Sequence, residues 1–263
     1  MESRIPLSVA IITKDEAENL PDCLKSVAFA DQIVVVDSGS TDDTVKVALA
    51  CGCEVFDEPW CGFGPQKQRA VDKCRNAWVL ILDADERLPC ETAEVIREII
   101  LNPPKAAGFS FPRKNYFQGR WIKHAGWWPD QVVRLFRRDG GCLSPSQVHE
   151  RVEVRGRVVA LSVPLEHFTE SRLEAILKKI DRYSTLAARE AFEQGRRSTI
   201  WGAALRAKLT FFHDYILRLG FLDGPQGFTL AITDAVNKFF KYAKLAELNK
   251  VQGSRGKGRR AES

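Results

Sequence analysis

The sequence predicts an α/β protein: a doubly wound layer of mostly parallel strands, followed by a helical extension. Three observations predict it. Short β-branched apolar runs recur at LSVAII (7–12), QIVVVD (32–37) and WVLILDADE (78–86), as expected of strands covered on both faces. Helix signals alternate with those runs, which is the pattern of a doubly wound sheet. Beyond residue 171 the apolar residues recur at helical spacing and the balance of charge reverses.

In chain order, LSVAII is the first strand. Asn19-Leu20-Pro21 opens a helix to about residue 28, with Pro in the first turn, where its missing N–H does no harm. QIVVVD is the second strand. Ser40 and Asp43 have capping-box spacing, which predicts a helix from there to near Gly52. CEVFDE (53–58) reads as a third strand. CGFG (61–64) lacks the third glycine of a dinucleotide fingerprint and reads as a flexible loop. Residues 66–75 read as a helix, WVLILDADE as the clearest strand, and 89–101 as a further helix.

From about 105 to 165 the pattern changes to shorter strands, FSFPRKNYF, VVRLFRR, VEVRGRVV and SVPLEHF, between loops rich in Gly, Pro and Trp. Ser171 and Glu174 form another capping box, followed by Leu173, Ile176, Leu177, Ile180, Ala187 and Ala191 at helical spacing. Residues 198–250 read as amphipathic helix, with Val236, Phe239, Phe240, Ala243 and Ala246 on one face, flanked by lysines. The tail GSRGKGRRAES has the composition of a disordered segment. The expected division is a catalytic domain over 5–168, a basic helical extension over 169–250 and a disordered basic tail over 251–263.

With 263 residues, 44% hydrophobic and 28% charged, the chain can bury a sizeable core, which excludes disordered and collagen-like classes. No apolar run approaches the roughly 20 residues of a spanning helix. The N-terminus reads as a strand rather than a signal peptide, which predicts a cytoplasmic protein. Cys51, Cys53, Cys61 and Cys74 lack a CxxC knuckle and a nearby His, so buried free thiols are expected rather than a zinc site. Residues 1–170 hold 21 basic and 25 acidic side chains, net −4, and residues 171–263 hold 18 and 9, net +9. A basic back half predicts an anionic partner, and no nucleic-acid motif accompanies it.

Polar clusters follow the predicted strand ends, where an α/β layer binds ligands. They are Thr13-Lys14-Asp15-Glu16, Asp37-Ser38-Gly39-Ser40 and Asp83-Ala84-Asp85-Glu86, with Trp127-Trp128-Pro129-Asp130 in the later loops. Asp83 and Asp85 form a DxD pair; two carboxylates on alternate residues can hold a divalent ion that grips a nucleotide diphosphate, or can merely cap a turn. Asp37 reads as a carboxylate for a base or as an Asx turn, with Gly39 permitting close backbone approach. Arg134 and Arg137 are candidates for the diphosphate or surface arginines. His149 reads as a metal ligand or a structural histidine. Trp127 and Trp128 read as a sugar platform or as packing.

These segments resemble family 2 glycosyltransferases, inverting enzymes of the GT-A (Rossmann-like, nucleotide-sugar-binding) fold. SVAIITKDEAENLPDCLKSV, IVVVDSGSTDDT and VLILDADE carry the resemblance. GWWPDQVVRLFRR…VHERV and FFHDYILRLGFLDGPQGFTLAITDAVNKFFKYAKL are similar to the lipopolysaccharide core branch that glucosylates inner-core heptose. Two departures stand out: Lys14 occupies a position where Tyr or Phe followed by Asn is frequent, and Pro129-Asp130 replaces the usual ED dyad.

The resemblance implies that Thr13, Lys14, Glu16, Asp37 and Gly39 hold the uridine, with Lys67 near the nucleotide. It implies that Asp83 contacts ribose or the metal shell, Asp85 ligates Mg²⁺ or Mn²⁺, and Asp130 is the catalytic base. The expected function is transfer of a sugar, glucose from UDP-glucose, to a lipid-linked core oligosaccharide at the inner membrane. The lysine-flanked apolar helix then reads as an anchor to the anionic membrane surface. The competing readings are an acceptor that is polyprenyl phosphate or a peptide, and a catalytically silent nucleotide-sugar-binding protein.

Overall fold

The computed structural model describes residues 4–144, 151–169 and 172–258. The chain forms two compact units, residues 1–115 with 129–168, and residues 116–128 with 169–263.

The first unit is built on a mixed sheet. β1 (Ile5–Thr13), β2 (Ala30–Asp37), β3 (Glu54–Asp57) and β4 (Trp78–Asp83) are parallel in the order β3-β2-β1-β4. The helices α1 (Leu20–Ser26), α2 (Thr44–Ala50) and α3 (Phe63–Asp72) connect them. After β4 come the two-residue strand β5 (Glu86–Arg87) and helix α4 (Cys90–Leu101). The strands β6 (Gly108–Phe117), β7 (Arg120–Trp121), β8 (Asp130–Arg137), β9 (Gly141–Leu143), β10 (Val152–Val154), β11 (Val158–Ala160) and β12 (Leu165–Phe168) follow. β8 joins β4 antiparallel and the sheet continues β8-β6-β12-β5.

Alternation along the central strands shows why they are apolar at every position. Val9, Ile11, Val35, Leu80 and Leu82 pack on one face with Leu20, Leu24, Ile96 and Phe109. Their neighbours Ala10, Val34, Val36, Val79 and Ile81 pack on the other with Ala70, Val71 and Phe136. A two-residue period with helices on both sides buries every residue of such a strand.

The sequence placed these elements well and several of their ends badly. α2 starts at Thr44, not at Ser40, because the Ser40 hydroxyl is spent on Asp37 and on the Asp15 N–H. CGFG is not a loop throughout: Phe63 and Gly64 form the first turn of α3. The WVLILDADE strand stops at Asp83, and a turn separates it from β5. Three cysteines, Cys23, Cys53 and Cys74, are buried, whereas Cys51, Cys90 and Cys142 are exposed and Cys61 is intermediate. Of the four thiols expected to be buried, Cys53 and Cys74 are, and Cys51 and Cys61 are corrected.

In the second unit, α5 (Leu173–Glu193), α6 (Ile200–Phe212) and α7 (Gly224–Gly258) pack together, with a π-helical turn (His213–Leu217) and a 3-10 turn (Gly220–Asp223) joining the last two. The stretch read as amphipathic helix over 198–250 thus comprises two α-helices with π-helical and 3-10 turns between them. Ser171 of the expected capping box lies outside the described residues, as do 259–263 of the tail. The expected apolar face of α7 is also shifted: Leu230, Ala231, Ala235, Leu245 and Ala246 are buried while Phe240 is 43% exposed. No helix among the described residues is long and apolar enough to cross a membrane.

Candidate active site

The carboxyl ends of β1, β2 and β4 carry the first three polar clusters. The loops after β1 and β2 are laced together. Asp37 ends β2 at 2% exposure, and its oxygens accept the Thr13 hydroxyl at 2.8 Å and the Ser40 N–H and hydroxyl at 2.7 and 2.5 Å. Glu16 N–H donates to Thr44 Oγ1 and Ala17 N–H to Asp42 Oδ2. Asp15 sits at φ 55°, held there by the Thr41 N–H on its carboxylate. Lys14 Nζ donates to the carbonyls of Ser38 and Gly39. Gly39, at φ 77°, supplies the left-handed residue this turn requires.

Beyond β4 the residues form a buried ion-pair cluster. Asp83 Oδ1 meets Lys67 Nζ at 2.6 Å, and Asp83 Oδ2 meets Arg134 at 2.7 Å. Arg134 also reaches Glu86 Oε1 at 2.6 Å, and Arg113 meets the same carboxylate at 3.2 Å. Glu86 is fully buried and also accepts the Asp83 N–H. Burial opposes the charge of Asp83, but Lys67 and Arg134 outweigh it and hold its carboxyl well below the usual carboxylate range. Burial likewise opposes the charge of Arg134, and Glu86 and Asp83 outweigh it, pushing that guanidinium above its ordinary value. Glu16 is raised, first by burial and then by Asp85, Asp42 and Asp83.

A second line of residues runs from Asp85 to Asp130. His167 on β12 pairs with Glu86 on β5, which sets its Nε2 3.3 Å from Asp85 Oδ2. Its Nδ1 lies 2.7 Å from Asn115 Oδ1, and Asn115 Nδ2 donates to Asp130 Oδ2 at 3.3 Å. That amide orientation makes Asn115 Oδ1 an acceptor, which assigns the proton to Nδ1. Nε2 then donates to the Asp85 carboxylate when the ring is protonated and presents its lone pair beside that carboxylate when the ring is neutral. Two electron-rich atoms so placed are a donor set for a cation, and the Asn115 contact orients the ring.

Asp130, at the start of β8 opposite Arg113 on β6, is 32% exposed. Arg113 Nε and a terminal nitrogen both bind its Oδ2, at 2.9 and 2.6 Å. Its Oδ1 accepts no hydrogen bond from the described residues. A carboxylate anchored through one oxygen, with the other open, is suited to accept a proton from a bound hydroxyl.

The structure brings Thr13, Lys14, Glu16, Asp37 and Gly39 together, and Asp83 and Asp85 with Lys67 and Arg134. Asp83 is paired with Lys67 and Arg134. Those two side chains, 3% and 7% exposed, both meet its carboxylate at the carboxyl end of β4. Arg137 pairs with Trp78 at the opposite end of β4 and bonds Asp139. Five residues at about 3.3 Å each separate it from the level of Asp83 by roughly 16 Å; it is a surface arginine. His149 lies outside the described residues. Trp127 packs with Phe117, Ile122 and Leu230, and Trp128 meets Trp121 edge-on, which fits the packing reading.

Three residues escaped the sequence reading, Arg113, Asn115 and His167, and Glu86 was read only as a member of the third polar cluster. Only the position of His167 in SVPLEHF, a histidine near a strand end, offered a signal. Among the described residues no group of three or more His, Cys, Asp or Glu side chains gathers as metal ligands.

A parallel sheet with an Asp-x-Asp turn at its carboxyl edge and a separately held carboxylate is the arrangement of a GT-A nucleotide-sugar transferase. The model of Glycosyl transferase family 2 matches residues 8–149, and the chain belongs to that family. Across 93% of both chains it is 33% identical to the lipopolysaccharide core biosynthesis glycosyltransferase LpsC of Rhizobium meliloti. It is 28% identical to an uncharacterised glycosyltransferase of Rickettsia typhi, over 92% of this chain and 87% of that one. Among solved structures, TarS 1–349 of S. aureus in complex with UDP-GlcNAc matches 94% of this chain and 92% of its own, at 14% identity and a TM-score of 0.47. Glucosyl-3-phosphoglycerate synthase of Mycobacterium tuberculosis, in complex with Mn²⁺, UDP and glucosyl-3-phosphoglycerate, matches 65% of this chain and 75% of its own, at 17% identity and a TM-score of 0.45.

Proposed function

We propose that this glycosyltransferase moves glucose from UDP-glucose, with inversion, onto an inner-core heptose of lipopolysaccharide. The likeness to LpsC over nearly the whole of both chains supports the acceptor class. The observation that carries the chemistry is the Asp85–His167–Asn115–Asp130 line, which ties a cation-binding pair to a carboxylate with one open oxygen.

In this reading the acceptor hydroxyl gives its proton to Asp130 Oδ1 as its oxygen attacks the anomeric carbon. The bond from that carbon to the diphosphate breaks, UDP leaves with the electron pair, and the configuration inverts. Arg113 and Asn115 hold Asp130 in place. Thr13, Lys14, Glu16 and Gly39 border the nucleoside, and Asp37 shapes their loop through Ser40. Asp85 Oδ and His167 Nε2 would hold a divalent cation, and a histidine in the pair suits Mn²⁺ better than Mg²⁺. When bound, that ion neutralises the charge growing on the leaving diphosphate. Lys67, Arg134 and Glu86 keep Asp83 fixed, so the turn carrying Asp85 is rigid. A lipid-linked acceptor places the work at an anionic membrane surface, the cytoplasmic face of the inner membrane.

Mass spectrometry of core oligosaccharide from a deletion strain tests the reading. It expects a core lacking one hexose on the first heptose; an unchanged core would contradict it.

A further inference from the structure

α6 is apolar on two sides, and among the described residues only one of them packs against protein. Ala203 is fully buried on the side packed against α7. Phe211 continues that side, 5.3 Å from Tyr215 and 5.8 Å from Phe228. On the outward side Trp201 is 82% exposed, Leu205 58%, Leu209 57% and Phe212 50%. The spacing of four, four and three residues puts these on one stripe. In the turns that follow, Ile216, Leu217, Leu219, Phe221 and Leu222 are also exposed. An exposed apolar stripe of this kind marks an interaction surface.

Charge decides the partner. Residues 195–222 hold five basic side chains, Arg196, Arg197, Arg206, Lys208 and Arg218, against a single acidic one, Asp214, which is only 8% exposed. Lys208 and Arg218 are exposed beside the stripe. Trp201 at one end offers the amphipathic ring favoured at a membrane–water boundary. An apolar face rimmed by cations, with the one carboxylate turned inward, is complementary to anionic lipid. A second copy of the same cationic face would be repelled.

We infer that the outward face of α6 and the two turns after it docks the protein on an anionic lipid bilayer, with Trp201, Leu205, Leu209 and Phe212 entering the headgroup boundary. This deepens the membrane part of the reading above and rests on it only there. It also moves the anchor from the lysine-flanked face of α7 to α6.

The test is flotation of the full chain with vesicles of phosphatidylethanolamine and phosphatidylglycerol, without acceptor, for the wild type, Leu205→Glu/Leu209→Glu and Trp201→Phe. The wild type is expected to float with these vesicles, and several-fold less with neutral phosphatidylcholine. The double variant should bind about tenfold more weakly or worse, since binding follows the buried apolar area. Brominated lipid should quench a component of the tryptophan fluorescence that Trp201→Phe lacks. Transfer to a deacylated, soluble core acceptor should be the same in wild type and double variant, which also shows that the variant is folded. Absence of wild-type flotation, or equal flotation of the double variant, overturns the inference. So does a wild-type dimer that the double variant converts to monomer without any vesicle binding. Because flotation is read without acceptor, a wrong acceptor assignment leaves it untouched.

Discussion

Arg134 is shared by two carboxylates, Asp83 and Glu86, in a cluster where Lys67, Arg134 and Arg113 answer Asp83, Glu86 and Asp130 and the loss of one cation unbalances the charge. Removing one partner of a buried ion pair leaves an uncompensated charge, so Arg134→Met should lower unfolding free energy by about 3–5 kcal/mol in urea denaturation. Asp130 is different in kind: its bonds among the described residues all go to Oδ2, and Asp130→Asn should lower kcat by about 10²–10⁴ while leaving the KM for the donor nearly unchanged. His167→Ala should weaken Mn²⁺ binding about tenfold or more, read by electron paramagnetic resonance titration without substrate. At this scale the sequence showed Asp85 and Asp130 because each follows a recognisable run, the apolar strand in one case and Trp-Trp-Pro in the other. It concealed Arg113, Asn115 and His167, which reach the site only through the pairing of β6 with β8 and of β12 with β5. Strand pairing between segments dozens of residues apart leaves no local spacing to read.

Among the elements, α7 carries an internal cost. Burial, together with the neighbouring Asp214 and against Lys238, pushes the Asp234 carboxyl from its ordinary value near 3.8 up to about 6. An acid raised in the folded state binds a proton there that the unfolded chain has already lost, so stability falls as pH rises from about 4 to about 6. Asp234→Asn should therefore stabilise the protein at pH 7.5 by up to about 2–3 kcal/mol and do little at pH 4, measured by urea unfolding at both pH values. The start of α7 is as tightly built: a Cβ on Gly227 would lie 1.9 Å from the Gly220 carbonyl oxygen. Gly227→Ala should cost at least about 1–3 kcal/mol and lower Tm in calorimetry. The central strands were legible because both faces of each are covered, which leaves an unbroken apolar signature. Helix starts were less so: Ser40 has the chemistry of a cap, and only the folded loop shows its hydroxyl committed to Asp37 instead.

For the whole molecule, the net −4 and net +9 halves of the sequence have separate meanings. The acidic residues of the first include a buried network in which Lys67, Arg113 and Arg134 answer Asp83, Glu86 and Asp130, while Asp85 lies beside His167, the pair proposed to hold a cation. In the second, Lys208 and Arg218 flank an exposed apolar face, which composition alone could not locate because outward Leu205 and Leu209 and inward Ala203 all read as apolar. The central claim is that Asp85 and Asp130 serve one sugar transfer from a nucleotide donor. Its most direct test is mass spectrometry of purified core acceptor incubated with UDP-glucose, Mn²⁺ and wild type, Asp85→Ala or Asp130→Asn. Wild type should add the mass of one hexose, and both variants should add none above background in the same time. Undiminished transfer by either variant would contradict the site.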